Sequence, residues 1–236
     1  MSSANILPIR CQGLPGLRNT AVCGEELGQE LGALVRRPPR GMHLYKFGSR
    51  SVVGAHVGET GEETILKYYY PSSQIRSLVY GLRGSRCMRS WHAGLAFGQL
   101  GIPTPAPLVV AEAHKLGGVM LESSFLATRP AEGDALGDLV SSHGADHPLV
   151  TAAAESLRES FRLMHEHRCA HGDLKANNLI LAPDGVVSFI DLDAAAWNLA
   201  PSAFAKQRNK DRTRFFKNWD DNPAAAEVFR KCFEER

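Results

Sequence analysis

The sequence predicts an α+β fold in two parts, a small sheet followed by a mainly helical portion, and three observations carry that expectation. Between residues 43 and 128, short runs rich in β-branched and aromatic residues alternate with glycine-containing turns, which is the pattern of strands. Between residues 135 and 168 the apolar residues recur at helical spacing instead. Beyond them, 179–181 and 186–190 read as two short buried strands joined by an Ala-Pro-Asp-Gly turn, which folds position 191 back beside position 178.

In chain order, residues 1–24 hold Pro8, Gly13, Pro15, Gly16 and Gly24 without a sustained period and read as an irregular leader. A helix is expected from Glu25 to Val35, with Leu27, Leu31 and Leu34 on one face, ended by the solvated run Arg36-Arg37-Pro38-Pro39-Arg40. Strands are expected at 43–47, 51–57 and 64–69, divided by Gly48-Ser49 and by Gly58-Glu59-Thr60-Gly61. A helix over 84–100 places Met88, Trp91 and Leu95 together and stops at Gly101 and Pro103. Strands at 107–112 and 122–128 flank Leu116-Gly117-Gly118, and a short helix covers 135–142. The most regular helix spans 148–168, where Val150, Ala154, Leu157, Phe161 and Met164 form one stripe. His165 and His167 on it read as surface residues.

The chain of 236 residues is long enough to bury a proper core, and its net charge of +2 gives no bulk electrostatic reason to bind nucleic acid. Cysteines 11, 23, 87, 169 and 232 are odd in number and lack metal-ligand spacing, which favours reduced, buried thiols in a cytoplasmic protein. No window approaches the roughly 18 apolar residues that a membrane span needs, and no secretory leader pattern is present. Surface attachment to a membrane is compatible with all of this.

The stretch His171-Gly-Asp-Leu-Lys-Ala-Asn-Asn, followed by Phe-Ile-Asp191-Leu-Asp193, has the spacing that phosphoryl transfer from ATP can use. Such a transition state asks a protein mostly for positioning and neutralisation of charge. Asp173 suits the carboxylate that meets the acceptor hydroxyl, and Lys175, two residues on, can reach the moving phosphoryl group. Asn178 and Asp191 offer one neutral and one ionised oxygen ligand, a set that suits Mg2+. His171 reads as a structural hydrogen-bonder.

These residues resemble the catalytic loop and metal-binding segment of the protein-kinase-like superfamily, with His-Gly-Asp for His-Arg-Asp and Asp-Leu-Asp for Asp-Phe-Gly. The resemblance implies a two-lobed protein-kinase-like fold, with a small antiparallel-sheet N-lobe and a reduced, mainly helical C-lobe. The boundaries would be 1–40 for leader and helix, 41–128 for the N-lobe and 129–236 for the C-lobe. It also implies that the stretch from Gly48 through Ser49 to Gly54 forms the loop over the ATP phosphates, and that Lys67 contacts the α and β phosphates. Residues 129–133 would connect the lobes. One departure stands out: no acidic residue occurs from Thr64 to Ala111, so the usual helix glutamate has no counterpart to pair with Lys67. Arg76, Arg83, Arg86 and Arg89 make that segment strongly positive, either as a solvated face or as an edge for an anionic substrate or acidic lipid headgroups. A second basic run, Lys206 to Lys217, sets six cations against the single Asp211, again either a solvated face or an anion site.

The order Lys46-Phe-Gly-Ser-Arg-Ser-Val, Leu66-Lys67-Tyr-Tyr-Tyr-Pro, Leu82-Arg-Gly-Ser-Arg with Trp91, and Gly101-Ile-Pro-Thr-Pro-Ala-Pro is similar to the lipopolysaccharide core kinases, the Kdo and heptose kinase group, over about residues 42 to 217. That resemblance implies transfer of the ATP γ-phosphate to a small-molecule or lipid-linked sugar acceptor of the inner core. The work would be done in the cytoplasm, with room for peripheral contact with the inner membrane. Only about forty residues follow the hairpin, too few for a protein kinase's substrate platform. Aminoglycoside- or choline-type kinases, a compact atypical protein kinase and a non-catalytic ATP-binding pseudokinase are the alternatives.

Overall fold

The computed structural model describes residues 5–233, which divide into two compact units. One comprises the chain up to His92 together with Ala106–Pro130; the other comprises Ala93–Pro105 and the chain from Ala131 onward.

The first unit is built on a seven-stranded antiparallel sheet. Its strands are β1 (Ile6–Cys11), β2 (Leu14–Asn19), β3 (His43–Gly48), β4 (Ser51–Val57), β5 (Glu63–Tyr69), β6 (Pro107–Lys115) and β7 (Met120–Thr128). Their order across the sheet is β1-β2-β6-β7-β5-β4-β3. The expected strands all form. The leader, expected to be irregular, instead supplies β1 and β2, and β2 pairs with β6. Its prolines and glycine read as loop signals but have other uses here. Pro8 lies on an edge strand, where a missing N–H costs no ladder bond. Gly16 is needed for close approach, since a Cβ there would stand 2.8 Å from the Val110 carbonyl oxygen.

Helix α1 (Glu25–Ala33) is held over this sheet by Leu27 and Leu31, which share a buried cluster with Cys11, Leu66, Tyr68, Val109 and Phe125. The Tyr68 hydroxyl donates to the Leu34 carbonyl at 2.8 Å and so ties β5 to the end of the helix. A second helix, α2 (Gln74–Arg83), lies where no element was expected, with the Ser73 hydroxyl capping its N-terminus at Arg76 N–H. Helix α3 (Arg86–Gln99) follows, its first turn secured by the Ser85 hydroxyl, which accepts from Met88 N–H at 3.0 Å.

The second unit is mainly helical. Helices α4 (Leu136–His143), α5 (Pro148–Glu166), α6 (Pro201–Phe216) and α7 (Pro223–Arg230) surround a three-stranded sheet of β8 (Asp134–Ala135), β9 (Leu179–Leu181) and β10 (Val187–Phe189). The apolar stripe of α5 supplies Val150, Leu157 and Met164 to a core shared with Leu179, Phe189, Phe215, Trp219 and Phe229. The expected α5 stripe therefore packs as its spacing suggests. Helix α7 was not anticipated. Its Phe229 stacks on Trp219 with ring centroids 5.2 Å apart.

All five cysteines are free and buried. Burial raises the thiol pKa of Cys11 to about 11 and those of Cys87 and Cys232 to about 12, so these groups are protonated at neutral pH. Among the described residues no helix is long and apolar enough to cross a membrane.

Candidate active site

The segment from His171 to Asp191 folds as a loop, a 3-10 turn over Ala176–Asn178, and the β9–β10 hairpin. The hairpin brings its two ends together: Ile190 N–H donates to the Asn178 carbonyl at 2.9 Å. Position 191 therefore follows directly on a residue bonded to position 178, as the strand pattern implied. Phe189 N–H donates to the Pro103 carbonyl, and the Thr104 hydroxyl donates to the Phe189 carbonyl at 2.8 Å, which braces β10 from its outer side.

His171 joins loop and hairpin. Its Nδ1 accepts from Asp173 N–H at 3.3 Å, so Nε2 carries the proton and donates to the Ile190 carbonyl at 3.0 Å. Complete burial holds the imidazole pKa below its ordinary value, although the Asp211 carboxylate opposes that shift. A neutral ring with one fixed tautomer results, in the structural role expected for it.

The loop backbone is gripped from α6. The buried Asp211 carboxylate accepts the N–H groups of His171 at 2.8 Å, Gly172 at 3.0 Å and Leu174 at 3.4 Å. Lys210 Nζ donates to the Gly172 carbonyl at 3.0 Å. Gly172 has φ of 80°, and a Cβ there would stand 2.3 Å from the Ala194 carbonyl oxygen, so this position accepts only glycine.

These anchors leave the Asp173 side chain partly exposed between two cations. Arg214 Nε of α6 lies 2.5 Å from one carboxylate oxygen and Lys175 Nζ 3.8 Å from the other. Asn178 donates its Nδ2 to the Asp173 carbonyl at 2.9 Å, which leaves its amide oxygen as the atom it can offer a cation. Asp191 sits in the left-handed region at φ 61° and ψ 52°, a conformation uncommon for a side-chain-bearing residue and concentrated at functional sites. No cluster of three or more His, Cys, Asp or Glu side chains suited to a metal exists among the described residues. The Asn178 and Asp191 donor set fits a hard cation such as Mg2+, which takes few protein ligands and keeps its waters.

The expected nucleotide contacts lie in the first unit. Lys67 is on β5, paired between Val53 of β4 and Leu126 of β7. Gly48 and Ser49 open the tight β3–β4 turn, so the loop is shorter than the expected stretch to Gly54. Gly54 lies within β4, where a Cβ would stand 2.3 Å from the His43 carbonyl oxygen. The turn borders a cavity of about 320 Å³ lined by Lys46, Arg50, Arg76 and Arg86 and by no carboxylate.

The family model for the lipopolysaccharide kinase (Kdo/WaaP) family matches residues 52–231. The chain belongs to that family. This lipopolysaccharide kinase is thus a phosphotransferase with a sugar hydroxyl as acceptor. Its fold is similar to a solved structure described as WaaP in complex with acyl carrier protein, with a TM-score of 0.56 and 16% identity over 80% of this chain and 78% of that one. No curated protein matches the sequence. The mixed sheet-and-helix architecture of the kinase agrees with the fold class its motifs implied.

Two functional positions escaped sequence reading. Asp211 was noted only as the lone acid among six cations, and Arg214 only as one of those cations. The signal for Asp211 was its place in line with Phe204 and Phe215, the buried side of α6. A charge on a buried face needs a partner. Nothing local marks Arg214 out from its neighbours.

Proposed function

We propose that this kinase transfers the γ-phosphate of ATP to a hydroxyl of a lipid-linked inner-core sugar, Kdo or heptose, with Asp173 as the base. The observation that carries the reading is the setting of Asp173: a partly exposed carboxylate on a loop pinned by Asp211, with Lys175 and Arg214 beside it. Asp173 takes the hydroxyl proton as the sugar oxygen bonds to the γ-phosphorus. The bond from that phosphorus to the bridging oxygen breaks, and ADP leaves with the electron pair. Lys175 neutralises charge on the phosphoryl group in transit. Asn178 and Asp191 would hold Mg2+, which when bound neutralises charge on the phosphate oxygens. Lys67 contacts the α and β phosphates, while Gly48 and Ser49 in the β3–β4 turn allow backbone to approach them closely.

A lipid-linked acceptor places the work at the cytoplasmic side of the inner membrane, with the enzyme held there peripherally. The test is incubation with labelled ATP and a panel of inner-core oligosaccharides, aminoglycosides and proteins. Label on Kdo or heptose supports the proposal. Label on an aminoglycoside or polypeptide alone, or on nothing, overturns it.

A further inference from the structure

Helix α2 lies on the first unit's sheet with its amphipathic sense reversed. Its inward face is made of small residues. Ser77 is buried and its hydroxyl donates to the Leu121 carbonyl at 2.6 Å, while a Cβ on Gly81 would stand only 2.1 Å from the Val119 carbonyl oxygen. The large apolar residues of the helix lie on the other side. Ile75, Leu78, Val79 and Leu82, spaced i, i+3, i+4 and i+7, are 76, 40, 40 and 71% exposed. A helix of a globular protein ordinarily turns such a stripe to the core. Val119, in the β6–β7 turn beneath Gly81, is exposed too, so the apolar surface continues onto that turn.

The helix itself carries charge of one sign, although the neighbouring strand β7 exposes Glu122. Arg76 and Arg83 lie on the helix itself, both exposed, and exposed Arg89 and Lys115 follow on α3 and on β6. No aspartate or glutamate occurs from Thr64 to Ala111. A second copy of the chain meeting this stripe about a two-fold axis would set arginines against arginines. A surface of anionic lipid headgroups complements them. The stripe is also a convex ridge that can enter the boundary between headgroups and acyl chains, with the arginines reaching lipid phosphates.

We infer that α2 is a membrane-docking helix for an anionic bilayer. The inference deepens the proposed function by naming the surface that brings the enzyme to a lipid-linked acceptor, and its purpose rests on that reading. Binding to lipid can nonetheless be measured without any acceptor.

The test is co-sedimentation of the full chain with phosphatidylcholine vesicles and with vesicles that also contain phosphatidylglycerol. Wild type is expected to partition onto the anionic vesicles and to be released by salt. Ile75→Ser with Leu82→Ser should lower the partition coefficient about tenfold or more, and Arg83→Ala about fivefold. The double variant should keep wild-type turnover on a water-soluble core-sugar fragment and lose it on the lipid-linked acceptor in vesicles. Wild type that stays in the supernatant with anionic vesicles overturns the inference. So does a double variant that binds as wild type does, or one whose only change is loss of a dimer in sedimentation velocity. Failure to phosphorylate any core sugar while vesicle binding behaves as stated would sink the proposed function and leave α2 as a docking helix.

Discussion

The buried carboxylate of Asp211 accepts the backbone N–H of His171 at 2.8 Å across forty residues of sequence, and through the same group it takes the N–H of Gly172 and Leu174. One helix side chain thereby fixes the loop that carries Asp173. Asp211→Asn keeps the shape but swaps one acceptor oxygen for a donor facing other donors. The expected loss is about 2–4 kcal/mol of stability together with a marked fall in kcat. Urea midpoints and turnover of the purified variant measure both. Unchanged values of either kind would contradict the anchoring role.

His171 gives the protein an acid-sensitive joint. Its folded pKa lies below the ordinary value, chiefly through burial, so the unfolded chain binds a proton that the native one refuses. The associated stability is present above about pH 6.5 and is lost as pH falls from there toward the depressed folded value, at up to about 1.4 kcal/mol per pH unit. In His171→Gln the urea midpoint is expected to be lower at pH 7.5 but flatter between pH 7 and pH 5. An equally steep acid arm in the variant would place the sensitivity elsewhere.

Two helical glycines should respond with opposite signs to the same substitution. Gly81→Ala drives a Cβ against the Val119 carbonyl, a backbone atom that cannot swing away, and should cost about 1–3 kcal/mol despite alanine's better helix propensity. Gly98 of α3 has open space around it, so Gly98→Ala should gain about 0.5–1 kcal/mol. Melting temperatures of the two variants decide the matter. A stabilised Gly81→Ala would mean that α2 sits farther from β7 than described.

Asp191→Asn removes the ionised member of the proposed cation pair while keeping an oxygen at the same place. ATP affinity measured with Mg2+ should fall about tenfold or more, toward the value measured with chelator. Equal affinities with and without Mg2+ in wild type would remove the pair from any metal role.

Much of this arrangement was legible in the sequence, for reasons that differ by element. The strands from β3 to β7 and the α5 stripe follow from residue periodicity. The β9–β10 hairpin follows from two apolar runs around a proline-glycine turn, and it carries the register of Asp173, Asn178 and Asp191. Strands β1 and β2 were illegible because Pro8, Pro15 and Gly16 imitate a loop, and only the neighbouring Val110 carbonyl explains the glycine. Helix α2 had its signals in Ser73 and the spacing of Ile75, Leu78, Val79 and Leu82. Its outward apolar face, however, is the reverse of what pattern reading assumes. Asp211 and Arg214 act across the chain on residues some forty positions away, a distance at which local patterns carry no information.

The central claim is that Asp173 is the base for transfer to a core-sugar hydroxyl. The most direct measurement compares phosphate transfer from labelled ATP by wild type and Asp173→Ala, each verified as folded and able to bind nucleotide. Turnover should fall by about 10²–10⁴ with nucleotide affinity largely kept. A folded Asp173→Ala protein that turns over near the wild-type rate would contradict it.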